Sequence, residues 1–341
     1  MAKHFTERER YKLEYMRKIK VPVKQIAAEL GKTEKTIYNE LKRGTVKLLN
    51  SDLIEYEVYC ADVGQRVNQK NQSEKGPALK IGNDINFCRR IEELIKEKYS
   101  PYAALNIIKR EGYKTNISLS TLYKYIKQGI FLNITDKDLP MGAKRKKNGE
   151  AEKRKVALNN QRGTSIEERP KEIRDRNSYG HWEMDTVVSG QGKGKSCLLV
   201  LSERLSREEI IRKIQNKKSI SVVRELDLLE KQLGTKGFRE KFKTITCDNG
   251  VEFLNQEGIE KGRRNKQKKR TKLYYCHPFS SWERGTNENI NKMIRRFIPK
   301  GANIDTYSKE EIQYVENWIN NYPRKILSGY SANQYKKKIG L

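Results

Sequence analysis

The sequence predicts an α+β protein of several domains, in which all-helical modules come first and an α/β core with a mixed sheet follows. Its 341 residues exceed the length at which single hydrophobic cores usually stop growing, so we expect two or three domains. In the first part of the chain, apolar residues recur at helical intervals. After residue 177 they come in short runs with β-branched residues, which is typical of strands.

The charge balance indicates the class of partner. The chain has 72 lysine and arginine residues against 43 aspartate and glutamate residues, a net charge of +29, and only 35% of its residues are hydrophobic. Such a surplus attracts a polyanion, and nucleic acid bound with strong salt dependence is the first expectation. Acidic membrane surfaces are the alternative. The chain has neither a long apolar run nor the apolar core of a secretory signal in MAKHFTERER, so we expect no membrane contact and a cytoplasmic location.

Cysteine and histidine usage restricts the possible metal sites. The five cysteines are odd in number and widely spaced, which argues against a disulfide framework and against structural zinc: Cys60, Cys88, Cys197, Cys247 and Cys276. The three histidines are scattered: His4, His181 and His277. We therefore expect any metal ion in this protein to be held by carboxylates.

Residues 6–44 predict three short helices with the spacing of a helix-turn-helix motif. Gly31 would form the turn, Ala27 would let the helices approach, and Thr33 would cap the third helix. The exposed face of that helix would carry side chains able to contact base edges or phosphates: Lys35, Thr36, Tyr38, Asn39, Lys42 and Arg43. A plain three-helix bundle is the alternative.

A second helix-turn-helix candidate follows. Ser100 and Pro101 are typical of a helix start, and a further helix is expected over about residues 120–127. Its outermost side chains would be Thr121, Lys124 and Lys127. The turn between the two helices is long, so packing or dimerisation is an alternative to DNA reading. Residues 56–75 and 85–98 are predicted to be polar helices that link the two modules.

Residues 141–176 have few apolar residues and two basic runs, at 144–147 and 153–155. Such a composition predicts a solvated tether that can follow phosphates. We therefore divide the chain into residues 1–50, residues 51–135, a basic linker at residues 136–176 and a core at residues 177–341.

In the core, the sequence predicts strands over residues 179–188, 195–205 and 208–214, then a helix over 219–233 and a strand over 242–248. The order β-β-β-α-β begins like a ribonuclease-H-type fold. Asp185 would lie in the middle of the first strand and Asp248 at the end of the fourth, so both would face one crevice. Taken singly, Asp185 is equally consistent with an exposed edge position, and Asp248 with a turn cap.

A third carboxylate is expected from a helix in residues 281–297. Its buried face would consist of four apolar residues at helical spacing: Ile290, Met293, Ile294 and Phe297. Glu288 would then point outward near the helix start, whereas Glu283 would point towards the core or precede the helix. We favour Glu288, although a solvated surface glutamate is the ordinary role for such a residue.

Three blocks of the core resemble the catalytic blocks of transposases of the insertion sequence thirty family. They are YGHWEMDT at 179–186, TCDNGVEF at 246–253, and HPFSSWERGTNEN at 277–289 followed by IRRFIPKG at 294–301. The C-terminal NYPRKILSGYS at 321–331 is also similar to the segment that closes such domains, and the N-terminal modules are similar to the family's end-binding region.

The resemblance implies a ribonuclease-H-like catalytic core in which Asp185, Asp248 and Glu288 hold two Mg²⁺ or Mn²⁺ ions. It also implies binding to the terminal inverted repeats of a mobile element, cleavage and transfer of double-stranded DNA, a homo-oligomer that joins two DNA ends, and a bacterial, nucleoid-associated protein. Secondary candidates for holding the metals or the DNA strand are Asn249, Glu252, Asn287, Asn291, Lys292 and Arg295. His277 is expected to serve packing.

One departure from the family's pattern concerns spacing. Asp248 and Glu288 are separated by more residues than is usual in the family, and Glu283 would fit that count better. The excess matches residues 258–272, which we interpret as a basic loop over the DNA path or a plain surface loop.

Two other classes of protein are alternatives. A DNA-binding regulator with an inactive core would use the same basic modules without needing three carboxylates. A tyrosine recombinase would need a nucleophile such as Tyr322 or Tyr330 near Arg324, but it would also need a histidine arrangement that this chain lacks.

Overall fold

The computed structural model describes residues 4–73, 78–140, 163–263, 267–277, 283 and 285–341. These residues form two compact units, Met1–Gly82 and Asn83–Leu341. The basic runs at 144–147 and 153–155 lie outside the described residues. No helix within the described part of the chain combines the length and the apolar composition needed to cross a membrane.

The first unit begins with the three predicted short helices: α1 (Glu7–Lys18), α2 (Val23–Leu30) and α3 (Glu34–Gly44). The predicted turn is confirmed, because Gly31 has a left-handed φ of 60°, which a glycine adopts without strain. The predicted cap is also confirmed, since the Thr33 hydroxyl accepts from the backbone N–H of Thr36.

A β-hairpin follows where a helix had been expected. β1 (Thr45–Leu49) pairs antiparallel with β2 (Glu55–Tyr59), and α4 (Ala61–Ser73) begins only after the hairpin. The segment EYEVY is rich in aromatic and β-branched residues, which favour a strand over a helix. Tyr59 and Ala61 share the core of the three N-terminal helices, so the boundary placed at residue 50 falls inside this unit.

The second unit starts with α5 (Ile85–Lys96), α6 (Pro101–Arg110) and α7 (Leu119–Lys127). The predicted helix start at Ser100 is confirmed, because its hydroxyl accepts from the backbone N–H of Ala103. Leu122 and Ile126 are buried, as expected for the inner face of α7.

The mixed sheet of the core is confirmed. The elements in order are β3 (His181–Val188), β4 (Cys197–Glu203), β5 (Glu209–Ile214), α8 (Ser219–Lys241), β6 (Thr244–Cys247), α9 (Gln256–Glu260), β7 (Lys272–Tyr275), α10 (Gly285–Ile294), α11 (Lys309–Asn321) and α12 (Ala332–Lys338). The strand order in the sheet is β5-β4-β3-β6-β7. β3 pairs antiparallel with β4 and parallel with β6, and β6 pairs parallel with β7.

Helices cover both faces of this sheet. Trp182 and Met184 of β3 pack in one apolar cluster with Val222 and Leu226 of α8. Val187 of β3 points to the opposite face, because side chains alternate along a strand, and packs in a second cluster with Ile290 of α10 and Trp318 of α11. The active-site candidates therefore lie on the α10 side of the sheet.

Part of the predicted linker belongs to the core instead. Ser165 forms a parallel bridge to Tyr275 at the end of β7, and Ile166 and Ile173 are buried. The Arg169 guanidinium is also buried and donates to the Thr246 hydroxyl at 3.1 Å. Residues 165–173 are therefore anchored by apolar and hydrogen-bonding contacts that the basic composition of the segment concealed.

The interpretation of residues 258–272 as a basic loop needs a similar correction. α9 extends to Glu260 and β7 begins at Lys272. Arg270 is 1% exposed, and its guanidinium donates to Asp227 of α8 at 2.6 Å and to the backbone oxygens of Gly258 and Ile259. This arginine is a structural anchor for the connection rather than a DNA contact; residues 264–266 lie outside the described ranges.

Candidate active site

The register of two parallel strands brings two predicted carboxylates together. β3 and β6 pair with Glu183 opposite Thr246. Asp185 and Asp248 each lie two residues beyond this pair, and Asp248 directly follows the last residue of β6. Neighbouring strands lie about 4.8 Å apart, and alternate residues share a face. Asp185 and Asp248 therefore face the same side of the sheet, towards α10.

A tight turn holds Asp248 at the end of β6. Its Oδ1 accepts from the backbone N–H of Gly250 at 3.0 Å, and Asn249 Nδ2 donates to the carbonyl of Cys276 at 2.7 Å. A Cβ at position 250 would lie 2.9 Å from Asp248 Oδ1, which is closer than real Cβ atoms approach. Asn249 therefore ties the turn to the end of β7 rather than pointing to a ligand, and glycine is needed beside the carboxylate.

Helix α10 contacts one of the two aspartates through Asn291. The Nδ2 of Asn291 donates to Asp185 Oδ2 at 2.9 Å. Glu288 lies one turn earlier on the same face of the helix and is exposed, as predicted from its helical phase. Within the described ranges, no three histidine, cysteine, aspartate or glutamate side chains lie close enough to hold one metal ion as they stand. The structure thus places Asp185 against Asn291 of α10, Asp248 directly after the neighbouring strand β6, and Glu288 one helical turn before Asn291.

The rival glutamate has a different partner. Glu283 accepts from the backbone N–H of His277 at 2.9 Å, and its Oε1 lies 2.7 Å from His277 Nδ1. His277 Nε2 also lies 3.2 Å from Glu167. Hydrogen bonding to Glu283 raises the pKa of His277. Glu283 and His277 therefore form a hydrogen-bonded pair between the end of β7 and the start of α10.

The buried Glu252 lies beside the Asp248 turn. Its Oε1 accepts from the Thr186 hydroxyl at 2.6 Å and lies 3.2 Å from Lys217 Nζ. Sequence reasoning singled out Glu252 but missed Thr186 and Lys217. The position of Thr186 directly after Asp185 was the available signal for the first, whereas Lys217 comes from the separate turn between β5 and α8.

The remaining candidates on α10 differ in their surroundings. Lys292 is exposed. Arg295, expected to contact DNA, donates to the backbone carbonyls of Val188 and Pro299 at 3.2 Å, so it ties the end of α10 to the end of β3. Asn287 is 2% exposed, and neither atom of its amide has a hydrogen-bond partner among the described residues.

The predicted recognition face of α3 is mostly open to solvent. Lys35, Tyr38, Asn39 and Lys42 are exposed. The other two members have structural contacts, since the Thr36 hydroxyl is bonded to Thr33 and the Arg43 guanidinium to the buried Glu40. On α7, Lys124 and Lys127 are exposed, whereas the Thr121 hydroxyl is bonded to Ser118.

Tyr322, one of the two tyrosines that the sequence offered as a recombinase nucleophile, is enclosed in the protein. Tyr322 is buried, and its hydroxyl donates to Ser100 Oγ at 2.7 Å. Arg324 lies 3.6 Å from the fully buried Glu209. Tyr322 is therefore a packing residue between α6 and α11 rather than an accessible nucleophile.

Comparisons with known proteins agree along the chain. Residues 2–44 match the family described as "Helix-turn-helix domain". The chain is 31% identical to a transposase for insertion sequence element IS4351 of Bacteroides fragilis, over 99% of this chain and 97% of that protein. It is 31% identical to a probable transposase for insertion-like sequence element IS1161 of Streptococcus salivarius, over 97% and 94%. It is 30% identical to transposase InsI for insertion sequence element IS30C of Escherichia coli K12, over 95% and 81%.

Proposed function

The chain belongs to the insertion sequence thirty (IS30) family of transposases, and we propose that it cuts and joins DNA at the ends of its element. The N-terminal unit, with its helix-turn-helix, binds the terminal inverted repeats. The unit at residues 83–341 carries out strand cleavage and strand transfer in a core of the ribonuclease-H type. The sheet order β5-β4-β3-β6-β7, with its one antiparallel and one parallel half, supports that assignment.

The observation that carries the proposal is that Asp185 and Asp248 occupy equivalent positions, each two residues beyond the last paired residues of the parallel strands β3 and β6, with α10 packed against β3. A carboxylate within a largely buried strand, or directly after one, is costly unless a cation or a hydrogen bond compensates it. Here two such carboxylates face one side, and Asn291 of α10 already donates to one of them. Glu288, one turn before Asn291, is the third carboxylate of the site.

The residues fit a divalent cation. All three side chains offer oxygen ligands, which Mg²⁺ and Mn²⁺ prefer. The glycine at position 250 leaves open the space beside Asp248 Oδ1 that a Cβ would fill. Asp185, Asp248 and Glu288 would hold two such ions. When bound, the ions activate the attacking water or DNA 3′-OH and stabilise the leaving oxygen.

The chain's own groups orient the site and the substrate. Asn291 fixes the carboxylate of Asp185, and the Asn249–Gly250 turn fixes that of Asp248. The exposed Lys292 lies one position after Asn291 and binds a DNA phosphate near the scissile bond. No protein nucleophile is required. Because two element ends must meet in transposition, the protein acts on double-stranded DNA as a homo-oligomer.

Conservative substitutions of the carboxylates test the proposal. Asp185→Asn and Asp248→Asn remove a charge but keep the shape, so each should lower strand transfer by more than about a hundredfold with Mg²⁺ present. Binding to a DNA fragment with the element end should stay within about twofold. The measurements are strand transfer on gels and DNA binding by fluorescence anisotropy. Glu288→Gln should match the aspartate variants, whereas Glu283→Gln should retain most activity.

Asp175→Asn is the matched control, because Asp175 is exposed and precedes β3. Strand transfer by Asp185→Asn at the wild-type rate would favour the DNA-binding regulator over the enzyme. Loss of activity in Glu283→Gln but not in Glu288→Gln would reassign the third carboxylate.

A further inference from the structure

Glu252 is a buried carboxylate with one unsatisfied oxygen. It lies in the short 3₁₀ helix Val251–Phe253, directly after the Asp248 turn, and is 2% exposed. Its Oε1 is held by Thr186 and Lys217, but Oε2 accepts no hydrogen bond from any of the described residues. A buried carboxylate oxygen without a partner is costly. We therefore expect Oε2 to have a partner other than Thr186, Lys217 or another of the described residues.

The unsatisfied oxygen faces Asp248. A Cβ built on Gly250 would lie 2.6 Å from Glu252 Oε2 and 2.9 Å from Asp248 Oδ1, so the two oxygens are separated by at most the sum of these lengths. Mg²⁺ binds oxygens at about 2.0–2.1 Å, and the two ions of a two-metal site lie about 3.5–4 Å apart. Both oxygens are thus within reach of one metal centre.

The other contacts of Glu252 hold its Oε1 from the α8 side of the sheet, because Thr186 alternates with Asp185 along β3 and shares the face of Trp182 and Met184. Thr186, which holds Oε1, is the next residue after Asp185 on β3. Lys217, two residues before α8, approaches the same oxygen, Oε1, at 3.2 Å. Two carboxylates as close as Glu252 and Asp248 repel one another unless a cation lies near both.

We propose that Glu252 is a fourth carboxylate of the metal centre and that its Oε2 coordinates a divalent cation together with Asp248. The proposal rests on the proposed function, in which Asp185, Asp248 and Glu288 hold the ions. A purely structural brace would need only the contacts of Oε1, and it would leave the position of Oε2 beside Asp248 unexplained.

The test is a Mn²⁺ titration of the full-length protein without DNA, in which free Mn²⁺ is followed by electron paramagnetic resonance. Glu252→Gln should weaken Mn²⁺ binding by about tenfold or more, because it removes a ligand charge. Lys217→Met should strengthen it by about threefold to tenfold, because it removes a competing cation. A structural brace predicts no gain in affinity for Lys217→Met.

Matched controls come from neighbouring groups. Glu260 is also buried, but its two oxygens accept from Lys269 and from the backbone N–H of Leu273, so Glu260→Gln should leave Mn²⁺ affinity unchanged. Lys218 is exposed and adjacent to Lys217, so Lys218→Met makes the same change in net charge and should have no comparable effect. Circular dichroism melting checks that each variant is folded.

The outcomes separate this inference from the proposed function. If Asp185→Asn loses Mn²⁺ but folded Glu252→Gln binds it like the wild type, the role of Glu252 is refuted and the metal centre stands. If neither substitution changes Mn²⁺ binding, the metal centre itself is refuted. If Glu252→Gln fails to fold, equal affinities of Lys217→Met and Lys218→Met refute the role, and a gain in Lys217→Met alone supports it.

Discussion

Two acidic residues on the same face of β3 have opposite environments. Glu183 is fully buried and forms an ion pair with Arg204 at 2.9 Å. Asp185, two residues later, is only partly buried, and its Oδ2 accepts a hydrogen bond from Asn291 of α10. Breaking a buried ion pair is strongly destabilising, so Glu183 serves the fold. Asp185, nearer the carboxyl end of the strand, is accessible to a ligand.

The position of Asp185 and Asp248 was predictable from the sequence, because each lies at a definite place in a strand pattern. The partners of Glu252 were not, since Lys217 and Thr186 come from separate elements and meet it only in the folded core. The burial of Arg169 and Arg270 was equally hidden. Both lie in basic segments whose composition resembles that of exposed loops.

His181 should make the stability of the second unit depend on pH. Burial, with the positive charges of Lys243, Arg204 and Arg169, lowers the pKa of His181 to about 4. An unfolded histidine titrates near pH 6.5, so between these values the unfolded state binds more protons. The contribution of neutral His181 to the free energy of unfolding is therefore fully present above about pH 6.5 and is lost as the pH falls towards 4. From pH 7 to about pH 5 the loss should be about 1 kcal/mol after allowance for partial exposure.

Urea unfolding of wild type and His181→Asn across this pH range provides the measurement. Asparagine can keep a hydrogen bond to the Thr244 hydroxyl, which lies 2.8 Å from His181 Nδ1, but it does not titrate. The carboxylates titrate in both proteins, so the difference between the two curves isolates the histidine. If the free energies of unfolding of the two proteins change with pH in parallel, His181 has the same pKa in the folded and the unfolded protein, and the prediction is wrong.

Among the elements, the helices with strong apolar spacing were predicted best. α2, α3 and the inner face of α10 follow from residues such as Ile26, Ile37 and Ile290, all of which are buried. The hairpin β1–β2 was missed because its strands are only five residues long and mostly exposed. β7 was missed because four residues beside a basic run carry too little pattern.

The surroundings of α3 divide its basic residues into two groups. Lys42 is exposed, whereas the guanidinium of its neighbour Arg43 is bonded to Glu40, a fully buried carboxylate that also pairs with the buried Arg10 at 2.7 Å. We expect Lys42→Ala to weaken binding to all DNA sequences and to lower the salt slope of log K by about 1. Arg43→Ala should chiefly lower the melting temperature of the first unit, because it removes a partner of a buried charge.

Fluorescence anisotropy with an element-end fragment at several salt concentrations measures the first effect, and thermal melting measures the second. Asn39→Ala serves as a comparison, since an asparagine that reads a base should change sequence preference and leave the salt slope unchanged. The division of roles is wrong if Arg43→Ala changes the salt slope as much as Lys42→Ala and melts like the wild type.

For the molecule as a whole, the net charge of +29 does not act as one uniform surface. Several arginines are interior partners of carboxylates, such as Arg10 with Glu40 and Arg204 with Glu183. The exposed lysines of α3, α7 and α10 remain available for phosphates. Composition alone predicted a polyanionic partner. Only the fold distinguishes the basic side chains that stabilise the protein from those that are free to bind the polyanion.

The second helical region belongs to the second compact unit rather than forming a separate module. Ala103 of α6 shares an apolar cluster with Trp318 and Tyr322 of the core. Trp318 Nε1 donates to the carbonyl of Glu97 at 3.1 Å, and Arg296 donates to that of Lys98 at 2.9 Å. The packing of this helical region against α11 could not be predicted from the sequence. The residues in contact are separated along the chain by the linker and by all strands of the sheet. It fixes the region of α5–α7 to α11 and to the segment that follows α10.

Fragments of the chain test this organisation. Residues 1–82 and 83–341 each contain their own core and should each melt cooperatively. A fragment of residues 177–341, which follows the boundary suggested by the sequence, would expose Trp318 and Tyr322 and would also lose the anchored segment 165–173. Each large apolar side chain contributes about 1.5–3 kcal/mol when buried, and 1 kcal/mol corresponds to about 2–4 °C in a unit of this size. Calorimetry should therefore show the 177–341 fragment melting roughly 10 °C or more below the 83–341 fragment, or aggregating. Equal melting temperatures would mean that α5–α7 contribute no stability to the core and could move independently of it when the protein binds DNA.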